Sequence, residues 1–212
     1  MEAALSAVTG PAREVAAHAR QLSGEKATRI VDAMRASVAA RGAAGSTFDH
    51  VAREAGVSRG LLHYYFGTKE RLLVEVVRRE CDIRYELLDQ ALAGANSPDA
   101  VIDALVRSFE DYLADDPSLL LLFFELLPLA QRNPEIATEL TELGRRTRTL
   151  LASILAAKNE AGVLQLRADP DTVAGFVLAL ADGLTVRRLT EPEYDNPGMM
   201  AQAVAAARAL LS

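Results

Sequence analysis

The chain has one cysteine, no tryptophan and three histidines among its 212 residues. A single cysteine, Cys81, cannot form an intramolecular disulfide, which favours a reducing compartment. The sequence lacks the basic start and apolar centre of a signal peptide. The apolar run from Leu119 to Phe124 ends at Glu125, far short of the roughly 20 residues that a membrane-spanning helix needs. These absences predict a cytoplasmic protein with no membrane partner.

Motifs typical of enzymes and metal sites are also missing. The sequence contains no glycine-rich phosphate loop, no His-Glu-x-x-His, no metal-spaced cysteine pair and no nucleophile elbow. The histidines His18, His50 and His63 lie far apart along the chain. Cys81 stands between two acidic residues, and neighbouring acids disfavour a reactive thiolate. We therefore expect no catalytic residues, no cofactor and no bound metal.

The chain is rich in both apolar and charged residues, and its charge is distributed unevenly along the sequence. Half of the residues are apolar and a quarter are charged, which excludes disorder and collagen-like repetition. The net charge is -6, yet residues 1–94 carry 13 lysine and arginine residues against 12 acids, whereas residues 95–212 carry 10 against 17. Residues 20–67 alone carry 7 against 4. A basic module joined to an acidic body is compatible with phosphate binding at one end, although ordinary variation in surface charge explains the pattern equally well.

Apolar residues recur at three- and four-residue intervals along the chain, and no stretch alternates as a strand does. The sequence therefore predicts an all-α protein of about nine helices. Residues 1–23, interrupted by Gly10-Pro11, are interpreted as a flexible N-terminal arm. Glycine, proline and capping signals predict helices at about 24–41, after 46–47, and at 58–66, 69–92, 98–114, 117–130, 134–161, 170–190 and 197–211.

Residues 51–66, VAREAGVSRGLLHYYF, have the spacing of a helix-turn-helix. Ala52 is small where two helices cross, and Gly56 can adopt the positive φ that ends the first helix. Ser58 is predicted to cap the second helix, so that the side chains from Arg59 onward project towards a major groove. The space between the helices is assigned to Val51, Ala55, Val57, Leu62 and either Tyr65 or Phe66. Helix pairs with this spacing also occur in proteins that do not bind DNA.

At this point the chain resembles the TetR/AcrR-like family of bacterial transcriptional regulators, over about residues 24–75. The resemblance rests on TFDHVA at 47–52, GVSRG at 56–60, LHYYF at 62–66 and TKERLL at 68–73. The family most often has Tyr where this chain has His63, and frequently His where it has Tyr64. The resemblance implies a three-helix DNA-binding domain at 24–68 and a helical ligand-binding and dimerisation domain at 69–212.

Eight residues are predicted to contact DNA. Arg59 is the candidate for a base contact, because a guanidinium can bond both N7 and O6 of guanine; the alternative is a solvated surface arginine. Gly60 would allow close approach to the groove, and Lys69 would hold a phosphate near the start of the long helix. Hydroxyl groups and the polar aromatic pair would make further backbone or base contacts, unless one of that pair packs inward. The set is Thr47, Ser58, Arg59, Gly60, Leu61, His63, Tyr64 and Lys69.

The resemblance also implies a homodimer, since paired modules read palindromic half-sites. The last two predicted helices are rich in small and apolar residues, which suits a four-helix interface between two copies. The alternative is that these faces cover only the core of their own domain. The predicted interface residues are Val173, Val177, Ala181, Leu184, Met200, Ala203, Val204 and Ala207.

In the family, a cavity enclosed by the middle helices accepts a small, commonly hydrophobic effector, and the long helix from Lys69 would transmit the change. The predicted lining is Leu87, Phe109, Tyr112, Phe123, Phe124, Leu127, Leu150, Phe176 and Leu180, although such residues are more often core. The sequence thus favours a ligand-responsive regulator, most simply a repressor, that binds double-stranded operator DNA. A helical protein-interaction module without DNA binding is the alternative.

Overall fold

The computed structural model describes residues 24–114, 117–191 and 197–211, so the predicted arm at 1–23 lies outside the described residues. Within those ranges every regular element is helical, which confirms the all-α prediction. No described helix is long and apolar enough to cross a membrane. The helices are α1 (Glu25–Gly45), α2 (Phe48–Ala55), α3 (Arg59–Phe66), α4 (Lys69–Ala93), α5 (Pro98–Ala114), α6 (Pro117–Ala130), α7 (Pro134–Glu160), α8 (Pro170–Thr190) and α9 (Pro197–Leu211).

The predicted end of the first helix corresponds to a break inside α1. Gly42 has φ 69° and ψ 170°, a conformation open to glycine but strained for other residues. Beyond the break, the Ser46 hydroxyl donates to the Gly42 carbonyl at 2.9 Å, and the Ser46 amide donates to the Ala43 carbonyl at 3.3 Å. The regular helix therefore ends at the glycine that the sequence indicates, and a short helical turn follows it.

Threonine side chains cap the first turns of two helices. The hydroxyl of Thr47 accepts from the His50 amide at 3.3 Å, and the hydroxyl of Thr68 accepts from the Arg71 amide at 3.2 Å. The predicted side-chain cap at Ser58 is wrong. Among the described residues its hydroxyl makes no capping bond to α3; the Leu61 amide donates to the Ser58 backbone carbonyl at 3.0 Å.

The described chain divides into two compact units. The first contains the described residues up to Val77 together with Ser118–Ile136, and the second contains the described residues of Arg78–Pro117 and Ala137–Ser212. Helices α4 and α7 each contribute residues to both units. The structural division thus falls within α4 rather than before it, because the first turns of α4 complete the core of the first unit. The functional division at residues 68 and 69 stays a prediction.

In the first unit, α1 packs on α2 and α2 packs on α3. The buried side chains lie on the apolar faces that the three- and four-residue spacing predicts. Those with no more than 1% exposure include Ile30, Met34, Val38, Val51, Leu62, Phe66, Leu72, Leu122 and Leu126.

In the second unit, α9 packs on α5 and α8 around a separate apolar core. That core includes Leu92, Val101, Ile102, Leu151, Leu155, Leu164, Val173, Ala174 and Leu211. The side chain of Lys158 caps the carboxyl end of α4: its ammonium group donates to the carbonyls of Ala93 at 3.4 Å and Ala95 at 2.8 Å. A positive charge there also complements the negative end of the helix dipole.

Candidate nucleic-acid interface

The turn between α2 and α3 has the geometry that the sequence predicts. Gly56 has φ 65° and ψ 40°, in the left-handed region that favours glycine. Its amide donates to the Arg53 carbonyl at 3.3 Å, and the Val57 amide donates to the Ala52 carbonyl at 3.0 Å. This bond pair is a Schellman motif, which stops a helix and reverses the chain. Ala52 is 7% exposed, as expected where two helices cross closely.

Helix α3 is one-sided. Leu62 and Phe66, four residues apart, are buried with 0% and 1% exposure. Arg59, Gly60, His63 and Tyr64 are exposed, and Tyr64 keeps 67% of its surface. Four-residue spacing puts the buried pair on one face, so the rest of the helix is available to a partner. The prediction that Phe66 belongs to the core is confirmed, whereas Tyr65 and Leu61 are half-buried.

The His63 ring contacts two groups of its own unit, the Gly67 carbonyl and the Phe48 ring. Its Nδ1 lies 3.1 Å from the Gly67 carbonyl oxygen, and because a carbonyl only accepts, Nδ1 must carry the hydrogen. The ring stands edge-on to the buried Phe48 ring, with centroids 4.9 Å apart. A neutral ring in this tautomer has only an acceptor at Nε2. A phosphate contact by His63 therefore requires the protonated ring.

Arg59 has a partner that the sequence did not reveal. Its guanidinium lies 3.4 Å from the carboxylate of Asp49 on α2, and both side chains keep about 60% of their surface. The two residues are ten positions apart across a turn, and no helix periodicity links such positions. The ion pair joins the start of α3 to the start of α2.

The remaining predicted DNA contacts also lie in the first unit. The Thr47 and Ser58 side chains are exposed, and the Thr47 hydroxyl caps α2 through its oxygen, which leaves its hydrogen to donate. The half-buried Lys69 donates from Nζ to the Ala44 carbonyl at 3.3 Å, and an ammonium has two further hydrogens for a phosphate. Sequence reasoning did not single out Arg41 and Arg53, which are also exposed here. The contacts of all these residues with DNA stay predictions.

The predicted effector-binding residues do not share one environment. Phe123, Phe124 and Leu127 belong to the first unit, and the other six belong to the second. Leu127, Phe176 and Leu87 are exposed, with 43%, 46% and 59% of their surface accessible. The others are half-buried: Phe109, Tyr112, Phe123, Phe124, Leu150 and Leu180. The assignment of an effector cavity to this set stays a prediction.

The predicted interface residues divide between core and surface. Val173, 1% exposed, belongs to the core of its own unit, and Ala203 is 9% exposed. Burial in the same unit is the alternative that the sequence left open: Val173 belongs to that core, and Val177 and Val204 pack against it. The other six are half-buried: Val177, Ala181, Leu184, Met200, Val204 and Ala207. Their contact with a second copy stays a prediction.

A polar network in the second unit was not anticipated. Tyr85 on α4 hydrogen-bonds to Thr147 on α7, and the Thr147 hydroxyl donates to the Leu143 carbonyl at 2.9 Å. The pKa of Cys81 is raised to about 11; burial is the main cause, hydrogen bonding with Tyr85 lowers this pKa, and the nearby charge of Asp82 raises it. The sequence correctly predicted a disfavoured thiolate, but burial is the main cause.

The same unit contains a contact between an arginine and a tyrosine ring. The Arg84 guanidinium carbon lies 4.5 Å above the centre of the Tyr112 ring, a cation–π geometry. Burial raises the pKa of Tyr112 to about 12, so its hydroxyl stays protonated. This part of the second unit thus offers a neutral phenol hydroxyl beside a guanidinium group.

Known proteins share both the sequence pattern and the fold. A family model described as "Bacterial regulatory proteins, tetR family" matches residues 30–76, and one described as "Tetracyclin repressor-like, C-terminal domain" matches residues 96–212. The HTH-type transcriptional regulator BetI of Rhizobium meliloti (strain 1021) is 32% identical over 164 residues, which cover 75% of each chain.

Solved structures agree with this relationship. The transcriptional regulator FadR from Bacillus subtilis, in complex with stearoyl-CoA, has a TM-score of 0.66 at 19% identity and covers 87% of this chain and 97% of its own. GusR of Salmonella enterica has a TM-score of 0.69 at 20% identity, with coverage of 90% and 98%. At such identities the likeness shows the fold alone, while the family models and BetI show the kinship. The chain belongs to the TetR family of bacterial transcriptional regulators, with a helix-turn-helix DNA-binding domain followed by a helical ligand-binding domain.

Proposed function

We propose that the chain is a repressor that binds a palindromic operator as a homodimer and leaves it when a small hydrophobic effector binds. The observation that carries this proposal is the one-sided recognition helix, in which Leu62 and Phe66 are buried while Arg59, Gly60 and Tyr64 are exposed. In this role the Arg59 guanidinium reads N7 and O6 of a guanine. The neighbouring hydroxyls and Lys69 hold phosphates, which set register and affinity rather than sequence choice.

Apolar faces of α8 and α9 support the dimer. Phe176 and Val186 on α8 keep 46% and 42% of their surface exposed. An open groove of about 520 Å³ runs between the two helices and is lined by Leu180, Leu184, Gly198, Met199, Gln202, Ala203 and Ala206. A second copy placed there would bury this surface and present two recognition helices to half-sites about 34 Å apart, one turn of DNA.

The ligand domain has the composition that a hydrophobic effector needs. Phe109, Tyr112, Leu150 and Leu180 are half-buried in the second unit, and apolar walls with few polar groups are typical of small-molecule sites. FadR, a protein of this fold, was solved in complex with stearoyl-CoA. An effector that prefers the released state by about 1 to 3 kcal/mol would change operator affinity by a factor of roughly 5 to 150.

The decisive experiment is selection of bound fragments from the source genome by the purified protein, followed by fluorescence anisotropy on the enriched duplex. We expect an inverted repeat, one dimer or more per site, and an affinity that falls when the matching hydrophobic compound is added. Transcription from that promoter should rise in a strain that lacks the protein. A stable monomer at micromolar concentration, or enriched fragments without a repeat, would contradict the proposal. A protein that shifts no DNA but captures a protein partner would favour the interaction-module alternative.

A further inference from the structure

The ion pair between Asp49 and Arg59 lies where a sequence-reading arginine would begin its reach into DNA. The guanidinium Nη1 and the carboxylate Oδ1 are 3.4 Å apart, with 61% of the Arg59 side chain and 63% of the Asp49 side chain exposed. Exposed pairs of this kind contribute little to folding stability. The fold does not need the pair, so its consequence must be sought in what Arg59 does.

The backbone that carries Asp49 is held in place on both sides. This residue occupies the first turn of α2, where the helix dipole favours a negative charge. The Thr47 hydroxyl caps the same turn through the His50 amide, and the buried Phe48 anchors it in the core. Arg59 stands at the first residue of α3 on a long side chain with many rotamers. The ion pair with Asp49 therefore restricts the conformations that the Arg59 side chain can adopt.

We propose that Asp49 is a positioning residue that gives Arg59 its selectivity for guanine over DNA phosphate. The proposal rests on the proposed DNA binding. Guanine presents two neutral acceptors, N7 and O6, which a guanidinium can bond while its remaining hydrogens stay with the carboxylate. A phosphate in the same place would be a second anion next to the Asp49 carboxylate. The two negative charges would repel each other, and only one guanidinium would be present to neutralise them. The carboxylate thus penalises the non-specific contact and tolerates the specific one.

The chain offers a matched control for charge. Glu54 lies on the same helix as Asp49 and is also exposed. Asp49→Asn and Glu54→Gln each remove one negative charge and keep the size of the side chain. Both variants should bind DNA of any sequence somewhat more tightly, since DNA binding depends on total charge. Only Asp49→Asn should alter the preference for the selected site.

The experiment compares two duplexes in fluorescence anisotropy: the one that the wild-type protein enriches from a random-sequence library, and a scrambled duplex of equal composition. We expect Asp49→Asn to lower the ratio of selected to scrambled affinity by about fivefold, the upper end of what an exposed ion pair supplies. Glu54→Gln should leave that ratio within twofold. In an Arg59→Ala background, Asp49→Asn should leave the ratio unchanged.

A selected duplex with 7-deazaguanine at single positions adds a readout that a structural role would not move. The affinity penalty at the guanine read by Arg59 should shrink in Asp49→Asn and persist in Glu54→Gln. Thermal unfolding confirms that each variant is folded, and Asp49→Ser replaces Asp49→Asn if that variant is not. Equal ratios for Asp49→Asn and Glu54→Gln would overturn the role of Asp49. A wild-type protein that enriches no sequence at all would instead overturn the proposed function.

Discussion

The thiol of Cys81 should resist alkylation, and the resistance can be measured. The side chain is half-buried in the second unit and hydrogen-bonds with Tyr85, and burial is the main cause that raises its pKa from the ordinary 9.0 to about 11. Alkylating reagents attack through the thiolate. The rate of reaction with iodoacetamide as a function of pH therefore reports the environment of Cys81.

The magnitude follows from this shift. Between pH 7 and 8, a thiol with a pKa of about 11 has roughly 100-fold less thiolate than one with a pKa of 9.0. The more basic thiolate is intrinsically more nucleophilic, which returns about 6- to 10-fold. We expect the folded protein to react about 10- to 16-fold more slowly than the chain unfolded in guanidinium chloride, before any steric protection is counted.

The assay follows modification by mass spectrometry from pH 7 to 11. In the folded protein, the logarithm of the rate should rise with a slope near one up to about pH 10 and flatten only towards pH 11, without a plateau near pH 9. Asp82→Asn removes a nearby negative charge that raises the pKa of Cys81, so this variant should react faster. A folded wild-type rate that levels off near pH 9, or an Asp82→Asn variant that reacts more slowly, would refute the reasoning.

Three further predictions concern the DNA-binding domain. Arg59→Ala should weaken binding to the selected duplex by about 1 to 3 kcal/mol and leave binding to random DNA nearly unchanged; equal losses on both in anisotropy titrations would remove its assigned role. Lys69→Ala should weaken both and reduce the slope of log affinity against log salt by about 1 per chain, and an unchanged slope would count against a phosphate contact. Gly56→Ala should lower the free energy of unfolding by about 1 to 2 kcal/mol, because the residue at φ 65° needs a left-handed backbone. An unchanged denaturation midpoint would contradict that account of the turn.

Most of the local structure could be predicted because its causes are local. The Schellman turn at Gly56 depends on one glycine and the amides next to it, and the caps at Thr47 and Thr68 bind amides three residues on. Among the predicted helix bounds, only the end of α1 differs from the structure by more than one residue. Ser58 is the exception. The Leu61 amide donates to its backbone carbonyl rather than to its hydroxyl, and the residue type alone does not indicate which of the two accepts.

Contacts between helices were beyond sequence reasoning. Nothing in the spacing indicated that Arg59 meets Asp49, that Lys69 meets the Ala44 carbonyl, or that Tyr85 meets Thr147. Likewise, the sequence left open whether Val173 lies at an interface or in the core of its own domain, and the structure places it in that core, because helix α8 has apolar residues on more than one face.

The sequence by itself determined which segments are helical, where each ends, and that residues 51–66 form a helix-turn-helix, because periodicity, glycine and capping act over a few residues. The tertiary structure alone decided which charges meet and which groups are enclosed. Those outcomes depend on how helices pack, and packing brings together residues as far apart as Tyr85 and Thr147. The ion pair between Arg59 and Asp49 and the raised pKa of Cys81 therefore depend on tertiary packing and could not be predicted from the local sequence.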